Sequence, residues 1–516
     1  ANYFLEAGLN SNIHFDTFPK HYGGWEEPDQ QVRGSYAGHY LSACAMLYHF
    51  EADEEMKRRG DAMVDWLEEC QKEGENNWVG SIPSIYLDRI ARNKWVWAPQ
   101  YQVHKTFMGL IDMYRFAGSQ KALTIADKWA DWFVEWTASF NEEQLAKLAD
   151  WESGGLMECW AELYDITKDE KYRKLTERYY RKNLFDPLIK GENVLSFKHA
   201  NTSIPEAQGC ARAYEVTGEE KYRKAVEMFW HFAVETRDQY ATGGQSNREH
   251  WVDDLTENLS DQTQEFCTMY NMIRLADYLL RWTGEAKYAD YIERCYYNGV
   301  LAQQNKNTGD VCYFLPLRAG GKKKWDDRYS NFYCCYGTMT QAQASYGDKI
   351  LYQKGEDLYI SQYIPFSADT EQYRLSMDFR HQPDKENGNQ LFYQITVEHK
   401  QNPASDLYLR KPDWTDEYRV LVNGNVISAE EKEGWIKIAG TQEGAMEILL
   451  QVYPHIIPVK LGEKDNRVAF RFGPILMAAL SDSEYFLHGK AEDILRSIDT
   501  KNIVFADLYE HDSTYI

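Results

Sequence analysis

The chain has 516 residues, with 57 Lys and Arg against 80 Asp and Glu and a formal charge of −23. That length predicts two to four domains. The acidic balance argues against nucleic acid and anionic membranes as partners, and no apolar run of about 18 residues is present to span a bilayer.

From residue 36 to about residue 350 the pattern predicts helix after helix. Apolar residues recur at three and four, as in Met272, Leu275, Ala276 and Leu279. A local signature repeats: TKDEKYRKLTERYY from Thr167, TGEEKYRKAVEMFW from Thr217 and TGEAKYADYIERCYY from Thr283, with looser copies from Ala52 and Gly118. Each reads as a short polar turn followed by a helix with an inward apolar face. Helical hairpins of this size stack side by side, giving either an open solenoid or a closed toroid of about six pairs. Long polar connections rich in Gly and aromatics (Pro19–Ser35, Gly191–Ser203, Ala241–Leu255) fall at similar points between hairpins. Loops of that length are costly to order unless they build something, and one rim of a toroid would gather them. After Lys349 the period changes to two, in DLYISQYIPF, YRLSMDF, LFYQITVEH, YRVLVNG, GWIKI, AMEILLQV and VAFRFGPILMAAL, punctuated by turns such as NGN. We therefore expect a helical domain over 1–350, a β-sandwich over 351–485 and a C-terminal extension, 486–516, whose mixed pattern supports no assignment.

Nine cysteines are spread through the chain without the spacing of a disulfide scaffold, which predicts free thiols and a reducing, cytoplasmic setting. Two of them, Cys334 and Cys335 in NFYCCYG, are adjacent, and a bridge between neighbours is strained. With Glu265 and Cys267 of QEFCTMYN they make a set of four that suits tetrahedral zinc. Residues two apart converge if they lie just before a helix, and a sharp turn near Gly337 would let both adjacent cysteines ligate. Buried core thiols are the plainer reading, although Asp326, Asp327, Arg328 and Asn331 make the approach to the pair unusually polar. A thiolate held there is a nucleophile that needs an acid partner. Glu249 of NREHW, in a Gly-rich loop and flanked by Trp251, is the leading candidate, with Asp253, Asp254 and Glu257 as rivals. His39, His104 and His199 each sit where a polar loop enters an apolar helix, suited to binding sugar hydroxyls or to serving as satisfied caps.

GGWE (Gly23–Glu26), RGSYAGHYLSA (Arg33–Ala43), VHKTFMGLIDMY (Val103–Tyr114), HANTSIPEAQGCARAYEVTG (His199–Gly218), EFCTMYN (Glu265–Asn271) and FYCCYGT (Phe332–Thr338) together resemble the cysteine glycosidases of glycoside hydrolase families 127 and 146, which release β-L-arabinofuranose. The likeness runs over about residues 6 to 480, and the CCYGT form is more similar to family 146. The resemblance implies an (α/α)6 barrel followed by a β-sandwich, zinc held by Glu265, Cys267, Cys334 and Cys335, Cys334 as nucleophile, Glu249 as acid/base, and His39, His104 and His199 in the sugar pocket. It implies an oligosaccharide or glycan substrate, cleaved with retention through a glycosyl-cysteine. The chain starts nearer its first barrel helix than such relatives do, so a smaller β portion is expected. The sequence does not fix the oligomeric state, with a homodimer as one option. Two other readings stand beside this one: a sugar epimerase or isomerase on the same barrel that works through histidines, and a non-catalytic glycan-binding protein with a structural zinc.

Overall fold

The computed structural model describes residues 22–253, 259–327, 329–384, 388–400, 405–440, 444–462, 467–479 and 489–497. Its first part is built on the long helices α1 (Ser35–Glu51), α2 (Glu54–Glu73), α3 (Pro99–Ala117), α4 (Gln120–Ala138), α5 (Leu156–Thr167), α6 (Glu170–Arg178), α7 (Ala200–Thr217), α8 (Glu220–Trp230), α9 (Phe266–Thr283), α10 (Ala286–Cys295) and α11 (Cys334–Ser345). The odd-numbered helices form the inner layer. Every residue of α3 from Pro99 to Met113 is buried, whereas α2 buries one stripe, Gly60, Val64, Leu67, Cys70 and Gln71. Around the inner layer α1 packs on α3, α3 on α5, α5 on α7, α7 on α9, α9 on α11, and α11 returns to α1. The ring is closed, so the toroid and not the open solenoid is the outcome.

The repeated signature is the turn from an inner helix to the next outer one. Each inner helix from α1 to α9 ends on a residue in the left-handed region: Ala52, Gly118, Lys168, Gly218 and Gly284. The next residue caps the outer helix, and Asp53, Ser119 and Asp169 do so by accepting backbone N–H bonds in its first turn. The sharp stop and immediate restart make all inner helices point the same way, so their N-termini share one mouth. At that mouth α1 and α3 touch backbone to backbone, since a Cβ on Gly38 would lie 1.9 Å from the Lys105 carbonyl oxygen. This contact sets His39 beside the turn that carries His104 and Lys105.

A small ribbon, β1 (Ser246–Asn247) and β2 (His250–Trp251), sits in the connection before α9. The change to strands falls after Lys349, as the period change predicts: β3 (Leu351–Lys354), β4 (Asp357–Ile360), β5 (Phe366–Asp369), β6 (Tyr373–Asp384), β7 (Gly388–His399), β8 (Leu407–Arg410), β9 (Tyr418–Val422), β10 (Asn425–Ile427), β11 (Glu430–Lys432), β12 (Trp435–Ile438), β13 (Ala445–Val452), β14 (Ile456–Lys460), β15 (Val468–Phe472) and β16 (Ile475–Leu476). One sheet has the order β10-β9-β13-β7-β6-β5 and the other β11-β12-β8-β4-β3, with β14-β15-β16 as a third. Alternation sets the register. Met446, Ile448, Leu450 and Val452 of β13 pair with Val397, Ile395, Tyr393 and Leu391 of β7, and all eight are buried in the core shared with β4, β8 and β12. All pairings within these three sheets are antiparallel except β4 with β8. Of the expected C-terminal extension, a short helix, Ala491–Ser497, is described, and most of the rest lies outside the described residues.

Candidate active site

Two inner-helix N-termini bring the four predicted ligands together. Glu265 is the N-cap of α9, still extended at φ −63 and ψ 137, and Cys267 is the second residue of the helix. Cys334 and Cys335 open α11 behind an extended Tyr333. One ligand atom from each of Glu265, Cys267, Cys334 and Cys335 lies within 4.8 Å of all the others. The Cys267 Sγ is 3.4 Å from Cys335 Sγ and 3.0 Å from the Thr338 hydroxyl, and Cys334 Sγ is 3.9 Å from Cys335 Sγ. All nine cysteines are buried and free. Gly337 does not make the turn expected of it. It lies inside α11, where a Cβ would come 2.5 Å from the His39 ring, so its role is to let His39 approach the thiol helix.

The four acids do not share charge equally. Burial pushes the thiols of Cys267 and Cys335 and the carboxyl of Glu265 well up. Burial acts the same way on Cys334, but hydrogen bonds from Cys267, Cys335 and Tyr313 and the nearby Lys105 ammonium outweigh it and hold this thiol well below the ordinary range. Its place in the first turn of α11 favours the thiolate further.

Glu249 forms the facing wall. It occupies, with Arg248, the two-residue turn of the β1–β2 ribbon, and both have positive φ, 49° and 68°. Such turns favour Asn and Gly, so this pair stores backbone strain beside reactive groups. The ribbon is held there by its backbone. Ala200 N–H donates to the Glu249 carbonyl, and Trp251 exchanges bonds with Lys198 and Phe197. Trp251 is fully buried and donates from its indole to Ser203, anchoring the ribbon to α7. The group that meets the Glu249 carboxylate is the Tyr313 hydroxyl, which also lies 3.5 Å from Cys334 Sγ. Of the rival acids, Asp253 is exposed and bonded to Ser196 and Arg237, and Asp254 and Glu257 lie outside the described residues.

The histidines separate into two kinds. His199 is the N-cap of α7; its Nδ1 pairs with Glu152 at 2.9 Å, and a ring nitrogen lies within 4.8 Å of carboxylate oxygens of Glu249 and Glu265. Burial opposes its charge, but Glu152, Glu265 and Glu249 outweigh burial and hold it at about 9. His39 and His104 lie inside their helices, not at the starts, and are only 2% exposed. Burial, reinforced by Lys105, keeps both neutral. His39 Nδ1 is 2.7 Å from Gln341, while His39 Nε2 and His104 Nδ1 are buried with no hydrogen-bond partner.

Two neighbours escaped the sequence reading. Lys105 is 4% exposed and packs its ammonium 4.4 Å from the Tyr101 ring centre; burial brings it down to about 8 against the opposing pull of Cys267 and Cys334. A lysine inside the apolar run VHKTFMG was a usable signal, because buried lysines need a reason. Tyr313, in DVCYFLPL, offered none. The opposite ends of the inner helices enclose a cavity of about 370 Å³ whose Arg115, Arg212, Arg274 and Arg281 are paired with acids, and none of the predicted site residues lies there.

Three thiols and a carboxylate, buried together beside Lys105 and His199, fit a divalent metal. The cation would offset the cost of ionising them in a water-poor site.

The chain is similar to known proteins in sequence and in fold. Residues 3–348 match the family model described as "Beta-L-arabinofuranosidase, GH127 catalytic domain", and residues 357–452 match "Beta-L-arabinofuranosidase, GH127 middle domain". Among solved structures, a GH127 beta-L-arabinofuranosidase from Geobacillus stearothermophilus T6 is 19% identical with a TM-score of 0.68, over 89% of this chain and 78% of that one. A GH127 beta-arabinofuranosidase is 18% identical with a TM-score of 0.70, over 92% and 78%. A further structure described as a glycoside hydrolase is 18% identical with a TM-score of 0.66, over 86% and 77%. No curated protein matches in sequence. Fold, site and matches define the class: a glycoside hydrolase with an (α/α)6 barrel followed by a β-sandwich. Within that class the chain belongs to the GH127 beta-L-arabinofuranosidase family.

Proposed function

We propose that the protein is a retaining glycosidase that releases a terminal β-L-arabinofuranosyl or closely related residue from plant-type glycans, with Cys334 as nucleophile and Glu249 as acid/base. One observation carries the reading. A single phenol oxygen, that of Tyr313, touches both groups, so they stand within about 6 Å of each other. That is near the spacing of retaining sites, about 5–5.5 Å, and short of the 6.5–9.5 Å of inverting ones.

Glu265, Cys267, Cys334 and Cys335 would hold zinc, which thiolates select over hard cations. When bound it supplies positive charge that keeps the thiols ionised and makes sulfur an acceptable leaving group. The remaining steps belong to the side chains. Glu249 gives its proton to the glycosidic oxygen while Cys334 Sγ forms a bond to the anomeric carbon. The carboxylate then takes a proton from water as that water replaces the sulfur on the same carbon. Two displacements return the original configuration. His39 Nε2 and His104 Nδ1 offer buried, neutral hydrogen-bonding positions to sugar hydroxyls. His199, oriented by Glu152, lies close enough to Glu249 and Glu265 to hold a hydroxyl between them. The nine buried free thiols suit a reducing, cytoplasmic compartment.

The test is covalent trapping. Protein treated with a β-L-arabinofuranosyl electrophile, then digested, is expected to carry the sugar on Cys334 and to contain one zinc per chain by elemental analysis. A label on any other residue, or full activity in metal-free protein, would overturn the assignment.

Glu249→Gln is expected to lower kcat/KM by about 10²–10⁴-fold on glycosides with poor leaving groups. The loss on activated aryl glycosides is expected to be far smaller, because their departure needs no proton. Equal losses on both series would remove Glu249 from the acid role.

A further inference from the structure

Tyr313 belongs to neither the metal set nor the histidine group, yet its hydroxyl is in contact with both reacting side chains. Its position is imposed by the backbone. The Tyr313 carbonyl accepts from Phe266 N–H at the head of α9 and from the Gln303 amide, and the bridge between Glu265 and Phe314 ties the next residue to the ligand that caps α9. The ring packs against Phe314 and Tyr333, the residue before Cys334. The phenol is therefore fixed to both helix ends that carry the thiols. A phenol has one O–H to donate, and two acceptors lie in contact with it here.

We propose that Tyr313 is a catalytic residue whose single O–H alternates between Cys334 and Glu249 in step with the reaction. The proposal rests on the roles given to those two residues above. Those roles require a Cys334 thiolate and a Glu249 carboxylic acid at the start of the reaction, and in that state the acceptor in need of a donor is the sulfur. In the first displacement the Glu249 proton moves to the glycosidic oxygen, the carbon–oxygen bond breaks and the carbon–sulfur bond forms. The sulfur loses its charge just as Glu249 gains one. The Tyr313 proton then turns to the carboxylate by rotation about the phenol C–O bond, with no heavy atom moving, since both acceptors are already in contact. In the second displacement water gives its proton to Glu249 and its oxygen to the sugar carbon. The carbon–sulfur bond breaks, and the O–H turns back to the departing thiolate. Each negative charge meets a donor at the moment it develops, which is what a pre-positioned dipole contributes to a transition state.

The test is Tyr313→Phe, which keeps the ring and its packing. We expect kcat to fall about 10–100-fold, the worth of one hydrogen bond to a charged group. KM, zinc content and thermal midpoint should stay near those of the parent. With an activated aryl substrate the first displacement is fast, and the unassisted departure of sulfur becomes limiting. Intact-protein mass spectrometry in the steady state should therefore show the glycosyl adduct on Cys334 accumulating in the variant above its level in the parent. A purely structural role would lower the midpoint or zinc content and leave the adduct fraction unchanged. Turnover within twofold of the parent, or no rise in adduct, would overturn the proposal while the parent's own adduct on Cys334 kept the nucleophile assignment. Absence of that adduct in the parent would overturn both.

Discussion

Cys334→Ser is expected to lose turnover on every glycoside, activated or not, by about 10⁴-fold or more. The geometry says why this cysteine, of the three, carries the effect. Cys267 and Cys335 lie against each other at 3.4 Å, and burial holds their thiols up. Cys334 lies toward Tyr313 and Glu249, and it is the thiol whose surroundings favour the anion. A serine hydroxyl at the same place stays protonated and is a poor nucleophile without a strong base. Glu249, spent as the acid in the first step, is not available to provide one. The loss therefore persists with good leaving groups, unlike that in Glu249→Gln, and the pair of variants separates nucleophile from acid. The measurement is kcat/KM across an aryl glycoside series together with the adduct mass, which should be absent in the serine variant. The same variant divides the competing enzyme classes. An epimerase working through His39, His104 or His199 would survive it, and sugar interconversion in the serine variant would replace the glycosidase reading.

What the sequence disclosed depended on how local the information was. The inner-to-outer turns were legible because a left-handed residue and its following cap lie within a few positions, as in TGEEKYRK, and they set the direction of every inner helix. Closure of the ring was not legible in the period and came only from the family resemblance, since it depends on α11 meeting α1 across some three hundred residues of chain. Strands such as AMEILLQV announced themselves by alternation, while the parallel pairing of β4 with β8 did not, being a property of two segments about fifty residues apart. At the site, Glu265-x-Cys267 and Cys334–Cys335 stood out through residue type. How they converge was misread, because the adjacent cysteines use the first turn of a helix and not a bend at Gly337. Tyr313 was invisible for the opposite reason. An ordinary tyrosine in a loop acquires its role only through where Phe266 and Glu265 hold its backbone.

Arg410→Met is expected to loosen the sandwich from the barrel, at a cost of about 3–5 kcal/mol near pH 8. Arg410 lies at the end of β8, is fully buried, and reaches into α10, where its guanidinium bonds Glu293 at 2.6 Å and pairs with Asp290; it also donates to the Ser361 carbonyl. The Trp414 indole donates to the same Glu293 at 2.8 Å, so a barrel helix and two sandwich segments meet at one carboxylate. Methionine keeps much of the volume and removes the charge, leaving two buried acids uncompensated. The penalty should depend on pH. Burial raises the Asp290 carboxyl to about 7 even though Arg410 pulls it down, and without Arg410 it rises further. A carboxyl whose folded value lies above its unfolded one of about 3.9 favours the folded state when protonated. Its contribution is therefore lost as pH climbs through the folded value. The variant's deficit should be largest at pH 8 and shrink toward pH 5.5, where Asp290 is protonated and neutral. Urea unfolding at the two pH values, followed by tryptophan fluorescence, reads this directly. Adding Asp290→Asn and Glu293→Gln to Arg410→Met should recover most of the midpoint at pH 8. A deficit that is the same at both pH values and unmoved by the added amides would show that Arg410 holds the interface by packing and not by charge.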